Sequence, residues 1–204
     1  QFYTTNDHYA LKGPIRYLEE KFGPWKGATN KVECRQVTGT FPGANGLALT
    51  KENVFVGDAR NGTVTVYTRR SDNGLDFVKQ IRYVFATHQT RKDLGAAADN
   101  IKVVPTNGDL IVNVFPTLLN LPSCLANVEK LGKELLVPAA ALRLPKKNGY
   151  EPELFYRDDG SIISFMTAMT VDPYNKIAIG SSVLQYGSFA VCKLSDETVK
   201  KFIQ

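Results

Sequence analysis

Short apolar runs alternate with polar turn clusters along most of the chain, and the 3.6-residue period of an amphipathic helix is rare. Val54-Phe55-Val56 and Thr63-Val64-Thr65-Val66-Tyr67 flank Gly57-Asp58-Ala59-Arg60-Asn61-Gly62. Residues 101–104 and 110–114 flank Pro105-Thr106-Asn107-Gly108-Asp109 in the same way, and residues 169–171 and 177–179 flank Asp172-Pro173-Tyr174-Asn175-Lys176. β-Branched and aromatic residues fill the runs while Gly, Asn, Asp and Pro fill the gaps, which predicts strand, turn and strand each time.

Laid over one another, three segments repeat: NGLALTKENVFVG from Asn45, NIKVVPTNGDLIVN from Asn100 and TAMTVDPYNKIAIG from Thr167. Each has a polar residue, a first apolar strand, a turn carrying Asn and a second apolar strand. The intervals of 55 and 67 residues are slightly long for a four-stranded propeller blade of about 40–50 residues, with loop insertions making up the difference. The predicted fold class is therefore all-β, a β-propeller. A β-sandwich would match the strand content but leaves the polar residue before each first strand unexplained.

Two segments break the pattern. Residues 14–22 place Ile15, Leu18 and Phe22 at helical spacing, and residues 118–136 form an insertion with Leu125, Val128 and Leu131 or Leu135 similarly spaced. Packing against the blades is the expected role of both, and a lid over a pocket is the other reading.

Asn45, Asp99 and Asn100 occupy equivalent places in the repeat, and Thr167 takes that place in the last unit. In a propeller such positions converge on the central axis. Oxygen-bearing side chains gathered there suit a hard cation such as calcium, which takes about six to eight oxygen ligands. The same residue types also serve as plain turn formers, so the repeat alone leaves both readings open.

Composition narrows the partners. The formal charge of +5 is scattered in pairs such as Arg69-Arg70 and Lys146-Lys147, which reads as solvated surface and not as a nucleic-acid interface. No apolar run approaches the roughly 18–20 residues of a transmembrane segment. Cys34, Cys124 and Cys192 lack zinc-finger spacing. Asn61-Gly62-Thr63 is a glycosylation sequon if the chain is secreted.

The strings FYTTNDHY, FPGANGLALT and AADNIKVVPTNGDLIV resemble, in order, the paraoxonase/arylesterase family of six-bladed, calcium-dependent lactonases. IAIGSSVLQYGSFAVCKL resembles that family's last blade. The resemblance departs in residues 118–136 and at Phe115, where mammalian members carry a histidine.

The resemblance implies two calcium ions. Asn6, Asn45, Asp99 and Asn100 match ligands of the catalytic ion, and Asp7 matches a ligand of a structural one. Asn6 and Asp99 are also the expected catalytic residues, Asn6 through its amide beside the developing oxyanion. His8 is expected to be structural or to orient a ligand, and His88 to lie at the surface. The matching motifs belong to the family's later portion, roughly its last three to four blades. The expectation is a companion polypeptide carrying the first blades, the general base and the remaining ligands. Cys192 would form a disulfide to that companion, while the pairing of Cys34 and Cys124 stays open.

The activity so implied is hydrolysis of a lactone or activated aryl ester, in the secretory pathway, whether secreted or vacuolar. Two other classes share the scaffold: an isomerase or cyclase beside the same ion, and a binding or structural propeller without catalysis.

Overall fold

The structure is a computed structural model that describes residues 36–39, 41–82, 97–116, 126–185 and 189–203. Within these residues the chain forms three antiparallel sheets, each built from strands consecutive in sequence. The first contains β1 (Ala44–Leu49), β2 (Asn53–Asp58), β3 (Thr63–Arg69) and β4 (Leu75–Arg82). The second contains β5 (Ala97–Val103), β6 (Leu110–Phe115), β7 (Ala139–Leu144) and β8 (Glu153–Asp158). The third contains β9 (Ala168–Asp172), β10 (Ile177–Ser181) and β11 (Phe189–Lys193), and α1 (Asp196–Ile203) follows it. β5 packs against both β1 and β9, so the first strand of each sheet is its innermost. The sheets are three successive blades of a β-propeller, as the repeat predicts.

The middle blade explains its own sequence. Leu110, Val112 and Val114 enter the core shared with Phe55, Val64 and Ile81 of the first blade. Ile111, Ala139 and Ala141 enter the core shared with Met166, Met169 and Val171 of the third. A sheet covered on both faces has no polar face, so β6 and β7 read as near-continuous apolar runs instead of alternating.

Two hairpins close with the same device. Asp58 Oδ1 accepts hydrogen bonds from the backbone N–H groups of Arg60 and Asn61, and its Oδ2 accepts from Asn61 Nδ2 at 2.9 Å. Asp172 repeats this with Tyr174, Asn175 and Asn175 Nδ2. Asp at the first turn position with Asn three residues later satisfies three donors locally, and the sequence displays it twice.

The sequence reading assigned no element to the C-terminal residues, where the structure has α1. Ser195 begins it, its Oγ accepting from the Thr198 N–H at 3.2 Å. Val199 and Phe202 face inward. The helix's last carbonyls are taken up by the second blade: Lys201 O accepts from Arg143 Nη2 at 2.6 Å and Phe202 O from Thr106 Oγ1 at 2.6 Å.

The described end of the insertion is not a continuous helix. It makes one 3₁₀ turn at Val128–Lys130 and then a tight loop. Leu131 is buried there against Val137 and Phe165, with Val128 and Leu135 beside it, so the expected packing role is the one observed. The candidate helix at residues 14–22 lies outside the described residues.

Candidate functional site

The polar residues placed by the sequence before the strands lie within them. Pairing along β1 runs from Ala44 opposite Asp58 to Leu47 opposite Val56, so Asn45 and Gly46 together face Gly57. Along β5 it runs from Ala98 opposite Val114 to Ile101 opposite Val112, so Asp99 and Asn100 together face Asn113. Both innermost strands thus carry a β-bulge at the same place in the repeat, which breaks the two-residue alternation and re-aims the side chains. Thr167 alone precedes its strand, and no bulge accompanies it.

The bulges bring three of the predicted residues together. The Asp99 carboxyl is buried at 5% exposure. Asn45 donates a side-chain hydrogen bond to it, the backbone N–H of Asn100 donates another, and Asn100 Nδ2 stands 3.4 Å from Oδ1. Asn100 Nδ2 also donates to the Thr167 carbonyl at 2.9 Å, linking the second and third blades. Burial pushes the Asp99 carboxyl up to about 7, outweighing the hydrogen bonds from Asn45 and Asn100 that pull it down.

Close backbone approach makes the cluster possible. A Cβ on Gly46 would stand 2.1 Å from Asp99 O and 2.8 Å from Ile101 Cγ1. Neither can yield without β1 separating from β5. Gly46→Ala is therefore expected to cost about 1–3 kcal/mol in urea unfolding, and to weaken any cation binding that needs Asn45 beside Asp99. Unchanged stability would show that the strands tolerate greater separation.

The three side chains are of the oxygen-bearing type that calcium takes, though fewer than its usual count of about six to eight ligands. Among the described residues no three His, Cys, Asp or Glu side chains gather as a metal site, so nothing here favours zinc or another thiolate- or imidazole-seeking ion. One buried carboxylate flanked by neutral amides offers hard oxygens and lacks a compensating charge, which a cation would provide.

Asn6, Asp7, His8, His88, Cys34 and Cys124 lie outside the described residues. Cys192 is half-buried on β11, is a free thiol among the described residues, and is pushed up in pKa by burial. It lines a cleft of about 450 Å³ between β8 and β11 with Tyr156, Arg143 and Phe202, separate from the Asp99 cluster. Asn61 is exposed on its turn while Thr63 of the same sequon is buried.

Two residues that sequence reasoning missed also belong to this end of the blades. Phe165 holds a φ of 55°, a left-handed conformation that is an outlier for a bulky side chain. Its ring stacks on Phe115 with centroids 4.5 Å apart, so the position where the family resemblance fails packs into an apolar cluster with Leu131 and Val137. The other is Asn113, opposite the second bulge; its signal was in the repeat, where it aligns with Gly57 and Gly180.

Fold and site together define a β-propeller with an oxygen-lined cluster on its innermost strands. The arylesterase family model matches residues 1–188, and the chain belongs to that family. Serum paraoxonase/lactonase 3 of Rattus norvegicus is 26% identical over 187 residues, covering 89% of this chain and 48% of the relative. Serum paraoxonase/arylesterase 2 of Gallus gallus is 28% identical over 125 residues, covering 59% of this chain and 32% of the relative. The chain thus spans half or less of the length of the curated relatives it matches.

Proposed function

We propose that this chain carries part of the catalytic floor of a calcium-dependent hydrolase acting on lactones or activated aryl esters. The observation that supports this most is the buried Asp99 carboxyl, aimed with Asn45 by paired bulges toward the meeting of the innermost strands. The relatives' names, lactonase and arylesterase, supply the substrate class. Bound at this cluster, calcium would supply Lewis-acid polarisation of a substrate carbonyl oxygen.

The chain's own part is to hold and aim. Asp99 contributes the formal negative charge, while Asn45 and Asn100 contribute amide oxygens that cost less to desolvate than further carboxylates. Asn6 is proposed to join them and to donate its amide N–H to the oxyanion as charge develops there. The general base that activates water, the remaining oxygen ligands and the second ion's ligands beyond Asp7 are proposed to come from blades outside this chain, on a companion polypeptide bridged through Cys192. A glycan at Asn61 and a secretory location complete the proposal.

The test uses the complete propeller, assayed on phenyl acetate and on a simple γ-lactone. Chelation is expected to remove at least about a hundredfold of the activity, the scale of losing a principal charge-stabilising group, and added calcium to restore it. Full activity in chelator on both substrates would exclude the proposed reaction.

A further inference from the structure

Asn113 sits within Leu110-Ile111-Val112-Asn113-Val114, where every neighbour is apolar and fully buried. Val112 and Val114 belong to the core shared with the first blade and Ile111 to that shared with the third. Strand alternation therefore turns Asn113 toward the third blade. Asn100 leans the same way, since its Nδ2 reaches the Thr167 carbonyl.

Asn113 is 0% exposed, yet neither its Oδ1 nor its Nδ2 has a hydrogen-bond partner among the described residues. Burying an amide without partners works against folding. The internal repeat shows that the fold does not require this. The same place is Gly57 in the first blade, opposite the other bulge, and Gly180 in the third. Only the second blade, which bears the Asp99–Asn100 bulge, sets a carboxamide there. A residue that opposes stability beside a functional cluster points to a role other than packing.

We propose that Asn113 is a positioning residue for the cation held by Asn45, Asp99 and Asn100. Its carboxamide forms the hydrogen bonds, directly or through one internal water, that hold the Asp99–Asn100 bulge when Asn100 presents its Oδ1 to the ion. The amide of Asn100 is otherwise engaged along the strands, with Thr167 O and Asp99 Oδ1. A carboxamide directly opposite the bulge supplies an alternative set of partners. The inference rests on the calcium reading above and adds a residue to it.

Asn113→Gly and Asn113→Ala in the complete protein test it, with Asn113→Ser as the variant that keeps a hydrogen-bonding group. Calcium affinity is read by titration calorimetry and metal-free stability by thermal melting. Gly and Ala are expected to melt, without metal, at or above the wild-type temperature and to bind calcium about 10–100-fold more weakly. Ser is expected to recover part of that loss. Affinity unchanged within about threefold in both Gly and Ala, well below the effect expected of an orienting residue, would overturn the proposal, as would failure of both to fold. A wild-type protein that binds no calcium would remove the calcium reading and this inference together. A wild type that binds, beside Asn113→Gly and Asn113→Ala variants that both bind equally, would remove this inference alone.

Discussion

Asp109→Ala is expected to destabilise the protein by about 3–5 kcal/mol, the cost of leaving a buried charge without its partner. Arg143 and Asp109 are only 5% and 3% exposed, with Nη2 2.6 Å and Nε 2.8 Å from the same carboxylate oxygen. Asp109 also accepts from the Lys146 backbone N–H and from Asn107 Nδ2, each at 2.9 Å. Truncation therefore takes the buried carboxylate from the guanidinium and leaves the Lys146 N–H without its acceptor, while Asn107 Nδ2 keeps Lys201 O at 3.1 Å. Glu153 remains as a carboxylate partner at 3.3 Å, but it is 44% exposed and too well solvated to substitute. Urea unfolding of wild type and variant measures the loss. The double variant Asp109→Ala/Arg143→Met is expected to recover much of it, because removing both charges is far cheaper than removing one. A single-variant loss under about 1 kcal/mol, the scale of an exposed pair, would mean that water reaches Arg143.

Asp99→Asn is expected to separate stability from function. The substitution is isosteric, keeps an oxygen for Asn45 and the Asn100 N–H, and removes the charge. Burial raises this carboxyl from 3.8 to about 7. A carboxyl raised on folding opposes the folded state increasingly as pH climbs past its unfolded value, and fully once above the folded one. At pH 8 the metal-free variant should therefore melt no lower than wild type, and somewhat higher. Calcium affinity and ester hydrolysis should fall together, hydrolysis by about 10²–10³-fold. Activity that survived the loss of calcium binding would leave the ion a structural role only.

The fold was legible because each blade repeats a short strand–turn–strand unit with its own punctuation. Asp58-x-x-Asn61 and Asp172-x-x-Asn175 mark hairpins directly, and β-branched runs mark the strands between them. Boundaries were less legible. Asn45, Asp99 and Asn100 read as residues before strands, because polar side chains break an apolar run. A bulge absorbs them without ending the strand, and single-strand periodicity carries no sign of the pairing partner. α1 was missed although Ser195 prefaces it, Asp196 and Glu197 open its first turn, and Val199 and Phe202 show its buried face; about two amphipathic turns are a weak periodic signal, and its stability comes from docking. Phe165 stood out only once its backbone angle was known, and Asn113, although it departs from Gly57 and Gly180 in the repeat, gained meaning only from its burial. An asparagine in an apolar strand can be solvent-facing in sequence, and nothing local forecasts a left-handed phenylalanine.

The clamp on α1 bears on how the molecule comes apart. The helix follows the third blade, and Lys176 of that blade pairs with Asp196 at its start. Its far end is held by Arg143, Thr106 and Asn107, all of the second blade. Phe202 lies under the Arg143 guanidinium at 5.0 Å and meets Phe155 edge-on. A helix this short is marginal by itself, but this one cannot be released without exposing the buried arginine. Releasing α1 would therefore open the seam between the second and third blades, so the helix ties the stability of one blade to that of the other.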